Sequence, residues 1–210
     1  MKNILCFGDS NTYGVDIIKG GRLARTLRYT GILQKMLGDD YHIIEEGYNG
    51  RTTVFDDPVG EFRNGYAIID MILQTHIPLD LVIIMLGTND TKTHFAASAA
   101  TIAKGLRNIV RKILRFDYSP SAMPEILIVS PIHIGYEIEK SPFSDFDVTS
   151  YEKSLQLASE YQKVAAEYHC HFFDASTVAE ASPLDQIHLD EDGHESLAMA
   201  LVKRIRAISR

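Results

Sequence analysis

Five short apolar runs, each followed by a stretch of helical periodicity, restrict this chain to one class of architecture. The clearest run is Leu81-Val82-Ile83-Ile84-Met85-Leu86, apolar at every position, as expected of a central parallel strand covered on both faces. The strand candidates are Asn3–Gly8, Tyr41–Gly47, Leu79–Leu86, Ile126–Ser130 and His169–Asp174. Helical patterns fall at Thr30–Leu37, Tyr66–Thr75, Ala97–Phe116, Ser150–Tyr168 and Asp192–Ile208. In the third of these, Ile102, Leu106, Ile109, Val110, Ile113 and Leu114 recur at helical spacing, while Lys104, Arg107, Arg111 and Lys112 face away. Strict alternation of this kind predicts an α/β fold, a three-layer α/β/α sandwich around a five-stranded parallel sheet with right-handed crossovers. With 210 residues and no repeat, linker or low-complexity tract, residues 1–210 are expected to form a single domain.

Such a sheet places ligands at the carboxyl ends of its strands. The first run, Ile4-Leu5-Cys6-Phe7, stops there at Gly8-Asp9-Ser10. Far away in the chain, Asp185-Gln186-Ile187-His188 sets a carboxylate three residues before an imidazole. A serine hydroxyl is a poor nucleophile near neutral pH unless a base takes its proton, and that base works best with its tautomer held by a carboxylate. Ser10, His188 and Asp185 supply these groups, which reads as a serine hydrolase. An oxyanion must then be stabilised by donors aimed at it. The candidates are the Ser10 N–H, the unobstructed N–H of Gly50 in Gly47-Tyr48-Asn49-Gly50-Arg51-Thr52-Thr53, and the Asn89 amide in Gly87-Thr88-Asn89-Asp90.

These four segments resemble the four ordered blocks of the SGNH hydrolase superfamily, the GDSL-like esterases. The likeness spans nearly the whole chain. The longer runs Glu45-Glu46-Gly47-x-x-Gly50-Arg51-Thr52-Thr53 and Leu79–Lys92 are similar to its arylesterase and acyltransferase branch, although Glu46 stands where the second block often has asparagine. The resemblance implies the SGNH hydrolase fold, flavodoxin-like in strand order. It also implies Ser10 as nucleophile, His188 as base and Asp185 as its orienter, with an oxyanion hole of Ser10 N–H, Gly50 N–H and Asn89. No cofactor and no metal are expected. Small acyl esters are the expected substrates, with hydrolysis or acyl transfer to alcohols as outcome; acetylated sugars and acyl-CoA thioesters remain open. A homo-oligomer is implied as well, and the Gly20–Arg28 and Ile132–Val148 loops are candidates for its contacts.

Other readings compete for the same residues. Asp9-Ser10-Asn11-Thr12 resembles the first motif of magnesium-dependent haloacid-dehalogenase-type phosphatases, with Asp9 as nucleophile. Asn11 occupies the place of the second acid, however, and Asp185 and His188 are left without work. A non-enzymatic module of the same fold is a third possibility. Asp9 and Asp90 read as structural hydrogen-bonding acids, and His194 as a structural histidine in the first turn of the last helix. His94 and His133 have no evident partner. A calcium loop through Gly193 would start at His188 and end at Met199, so it lacks both terminal acids; zinc-binding, P-loop and Gly-x-Gly-x-x-Gly patterns are absent.

The net charge of −7 argues against a nucleic-acid partner. The basic group Lys19, Arg22, Arg25 and Arg28 reads as a solvated loop or subunit contact. No membrane span is evident. The chain begins without an apolar leader, from which a cytoplasmic location is expected. Cys6 and Cys170, in strand-like runs, read as buried small hydrophobes. The long loops Asn11–Arg28 and Ile132–Val148 are expected to wall a pocket. Tyr136, Phe143 and Phe146 in the second either line that pocket or tack the loop to the body.

Overall fold

The computed structural model describes residues 1–209. A five-stranded sheet forms from β1 (Lys2–Gly8), β2 (Tyr41–Gly47), β3 (Leu81–Met85), β4 (Glu125–Ser130) and β5 (His171–Asp174), in the order β2-β1-β3-β4-β5. All four pairings are parallel, so the α/β sandwich and the flavodoxin-like order expected from sequence are both realised. The helices are α1 (Ser10–Tyr13), α2 (Tyr29–Leu37), α3 (Gly65–His76), α4 (Ala99–Arg115), α5 (Val148–Glu167) and α6 (Glu191–Ile208).

The strand pleat divides the core in two. Leu5 and Phe7 of β1, with Val82 and Ile84 of β3, join Leu73, Leu106 and Leu157 under α3, α4 and α5. Ile4 and Cys6, with Ile83 and Met85, join Leu33, Leu201 and Ile205 under α2 and α6. On α4 the expected stripe is buried from Ile102 to Ile113, and Leu114 is only partly covered. Side-chain caps start the long helices: Ser98 accepts from the Thr101 N–H, Asp190 from the Gly193 N–H, and Asp147 and Ser150 form a capping box at α5.

The differences from the sequence expectation are local. The fifth strand begins at His171 rather than His169, because His169 takes φ +54° and the Cys170 N–H bonds back to the Ala165 carbonyl, closing α5. Cys170 therefore precedes the strand and is half-buried, whereas Cys6 is fully buried; both are free thiols. Burial pushes the Cys6 thiol up to about 12 and that of Cys170 to about 11, so neither is a thiolate at neutral pH. The basic loop is not uniformly solvated. Arg28 is buried and donates to Glu45 at 2.6 Å, a carboxylate also held by Thr30 at 2.6 Å. No helix among the described residues is long and apolar enough to cross a membrane.

Candidate active site

The strand order reverses between β1 and β3, and the loops leaving those two strands carry Ser10 and Asn89. This switch point is where open α/β sheets form a crevice. Gly8 lets the chain turn there: a Cβ at that position would lie 2.0 Å from Thr12 Oγ1 and 2.9 Å from the Met85 carbonyl. Asp9 caps the following turn, one carboxylate oxygen accepting from the Asn11 N–H at 3.0 Å. Ser10 is thereby presented at the start of α1.

The imidazole arrives from the other end of the chain. His188 Nε2 lies 2.8 Å from Ser10 Oγ, and its Nδ1 lies 2.6 Å from Asp185 Oδ2. The second Asp185 oxygen accepts the N–H groups of Ile187 (3.0 Å) and His188 (2.9 Å), which locks the short Asp185–His188 turn. Gln186 completes this turn at φ +66°. Burial works against ionising Asp185, but the hydrogen bonds from His188 and the two N–H groups outweigh it and hold the carboxyl below its ordinary value. An ionised Asp185 fixes the proton of His188 on Nδ1 and leaves Nε2 free to accept from Ser10.

Asn11, which carries no role in the sequence reading, staples the two halves together. Its Oδ1 accepts from the Leu189 N–H at 2.8 Å, and its Nδ2 donates to the Ile187 carbonyl at 3.3 Å. Only the folded chain brings these partners within reach, so the sequence offers no signal for them.

Gly50 and Asn89 reach the same cavity as Ser10 and His188, a hollow of about 280 Å³. Gly50 has φ +78°, a left-handed backbone conformation that favours glycine, and a Cβ there would lie 2.5 Å from Arg63 Nε, so the arginine side chain would have to shift. Among the described residues, neither the Ser10 nor the Gly50 N–H donates to a protein acceptor. Asn89 Nδ2 donates to the Arg51 carbonyl at 3.2 Å, which orients the amide and leaves its second hydrogen available. Arg51 in turn ties the loop down, donating to the carbonyls of Gly8 (2.9 Å) and Glu46 while its guanidinium lies 4.4 Å from the centre of the Phe7 ring. Glu46 pairs with His76 at 2.8 Å.

The aromatic loop residues divide. Phe143 and Phe146 line the cavity, with the Phe143 ring 5.7 Å from the His188 ring. Tyr136 lies outside it, edge-on to Tyr151. His133 is half-buried away from the cavity lining. His94, for which the sequence suggests no partner, lies 3.6 Å from Asp57. His194 is buried in α6 with Nδ1 accepting from the Tyr29 N–H at 3.3 Å, a structural position as expected.

Asp9 and Asp90 are sealed from the cavity. Asp90 accepts from the N–H and hydroxyl of Thr53, and burial raises its carboxyl to about 7. Burial likewise raises Asp9 to about 6, and one of its oxygens is enclosed without a partner. Asp9 caps the α1 turn and lies outside the cavity lining, so it is not placed to attack a phosphate bound there, as the phosphatase alternative requires.

The model of the GDSL-like lipase/acylhydrolase family matches residues 6–196. The chain belongs to that family. Its fold is also that of an aryl esterase from M. smegmatis, with a TM-score of 0.91 and 38% identity over 99% of this chain and 100% of the other. A carbohydrate acetylesterase family member from Sinorhizobium meliloti superposes with a TM-score of 0.92 and 39% identity, over 99% of each chain. No curated protein matches. This GDSL-like hydrolase is a serine enzyme that cleaves carboxylic esters.

Proposed function

We propose that the enzyme hydrolyses small carboxylic acyl esters through an acyl-serine intermediate, with Ser10 as nucleophile, His188 as general base and Asp185 as its orienter. The observation that carries this reading is the unbroken run of contacts from Ser10 Oγ through His188 to Asp185, at 2.8 and 2.6 Å, beside a cavity. As Ser10 Oγ attacks the carbonyl carbon, its proton passes to His188 Nε2. The resulting imidazolium is stabilised by the Asp185 carboxylate. The oxyanion is received by the N–H groups of Ser10 and Gly50 and by the Asn89 amide. His188 then delivers its proton to the leaving alkoxide. A water molecule, activated by the same nitrogen, releases the acid and restores Ser10; an alcohol in its place gives acyl transfer.

A cavity of about 280 Å³ supports short acyl groups, and the aryl esterase and carbohydrate acetylesterase named above support aryl and sugar acetates as the substrate classes to try first. We further propose a cytoplasmic homo-oligomer. Two free thiols accord with a reducing compartment, and Ile18, Val59, Phe62 and Tyr136 are each more than 60% exposed on loops, apolar surface of the kind that subunits cover. Neither nucleic acid nor membrane enters this reading.

Labelling by a fluorophosphonate probe, together with rates on p-nitrophenyl esters of graded chain length, tests the chemistry. Labelling lost in Ser10→Ala and rates falling beyond short acyl chains are expected; normal turnover in that variant overturns the reading. Light scattering tests the assembly, and a monomer mass at working concentration overturns it.

A further inference from the structure

The cavity beside Ser10 carries charges that ester cleavage does not use. Asp57, its carboxylate fully buried, accepts from Arg63 Nη1 at 2.7 Å and from Lys92 Nζ at 3.0 Å. Lys92 is itself buried, lines the cavity, and lies 3.7 Å from Asp145 Oδ2, beyond hydrogen-bond length. An ammonium has three protons to donate, and Asp57 is the acceptor within hydrogen-bond distance of the side chain. Asp145 also lines the cavity. Its main-chain carbonyl is anchored by the N–H and hydroxyl of Thr93, while its carboxylate stays 44% exposed with acceptor capacity to spare.

Arg63 and Lys92 balance Asp57 and Asp145 in charge. The cavity therefore offers no net attraction to an anion, but it does offer a donor, Lys92, beside an acceptor, Asp145. That combination matches a neutral hydroxyl, which donates and accepts at once. Phe143, Phe146 and Ile187 supply apolar lining for an acyl group.

We propose that Lys92 and Asp145 form a hydroxyl-recognising subsite for the alcohol half of the ester, so that the preferred substrates are short acyl esters of polyhydroxylated alcohols, sugars in chemical class. This rests on the ester-hydrolase reading of Ser10. Asp57 and Arg63 are positioning residues in it: they hold the Lys92 ammonium where a ligand hydroxyl meets it. Binding groups left unpaired by a substrate that lacks the hydroxyl disfavour that substrate.

The test compares phenyl acetate with a mono-acetylated glucose, two acetates that differ in the alcohol alone. In the parent enzyme kcat/KM should favour the sugar ester. In Lys92→Met and in Asp145→Leu the ratio of kcat/KM, sugar over phenyl, should fall about 10- to 100-fold, the range of one or two charge-assisted hydrogen bonds. For Asp145→Leu the fall should lie chiefly in KM for the sugar ester. The Asp145 carboxylate is partly exposed and accepts no hydrogen bond from Lys92, so this variant is expected to fold even if loss of Lys92 unsettles Asp57. An unchanged ratio in Asp145→Leu, or a parent that prefers acetylsalicylate to both esters, overturns the subsite while leaving the esterase intact. A parent inactive on phenyl acetate and on the sugar ester alike overturns the esterase reading itself.

Discussion

Asp185 and Asp57 are both enclosed carboxylates facing nitrogen, and both stand beside the same cavity, yet they do opposite things. Asp185 faces an imidazole whose far nitrogen reaches a hydroxyl. Asp57 faces an arginine and a lysine, with a histidine further off. In each case burial opposes ionisation and hydrogen bonds overcome it, pulling Asp57 down to about 2. The difference lies in the partner. An imidazole gains and loses a proton within the working range, whereas arginine and lysine stay charged. One arrangement can pass a proton and the other can only hold a shape. Asp9 and Asp90 complete the contrast: with no cation hydrogen-bonded to them, burial wins and their carboxyls rise to about 6 and about 7. The burial of an acid thus says little about its role until its partner is named.

The comparison breaks most readily at the proposed triad. Ser10→Ala and Asp185→Asn should each lower kcat on p-nitrophenyl acetate on the order of 10⁴-fold with little change in melting temperature. Asp185→Asn with near-normal turnover would put Asp185 in the same class as Asp57.

Asn89→Ala comes next, at roughly 10²- to 10³-fold in kcat with a smaller effect on KM, as the proposed oxyanion donor should show, since it would act on charge present in the transition state. A lowered melting temperature with full kcat would make Asn89 a turn residue only.

Asp57→Ala should invert the pattern of Asp185. Breaking a buried ion pair costs about 3 kcal/mol or more, so denaturant titration should show a large loss of stability, and kcat per folded molecule should fall far less than in Asp185→Asn. An equal catalytic loss would mean that Asp57 takes part in the chemistry.

The smallest effect sharpens the comparison through pH. Asp90 has its carboxyl raised from 3.8 to about 7. Between these values the unfolded chain has released the proton while the folded chain keeps it, so stability falls as pH rises through that window. Asp57 has the opposite sign: its contribution is present above the ordinary carboxylate value of 3.8 and is lost as pH falls towards 2. In Asp90→Asn, melting temperatures measured from pH 4 to pH 8 should decline less with pH than in the parent, and parallel curves would contradict the burial of an uncompensated acid at that position.

Apolar periodicity and local spacing determined a large part of this protein. A fully apolar run such as Leu81–Leu86 has few places to go except the middle of a covered sheet, and alternation with helices leaves the parallel order few options. The Ser10, His188 and Asp185 cluster was legible for a related reason. Gly8-Asp9-Ser10 and Asp185-x-x-His188 are local turns, and each presents its groups by backbone geometry that its own few residues dictate. Tertiary structure alone decided the rest. It joined Asn11 to Leu189, Arg28 to Glu45, and Asp57 to Arg63, Lys92 and His94. It set Phe143 and Phe146 at the cavity and Tyr136 away from it. These are side chains on different loops, paired across long stretches of chain. A charge or ring on a loop carries no record in sequence of which partner the fold will bring against it, since contacts between single side chains on different loops depend on distance in space and leave no period along the chain.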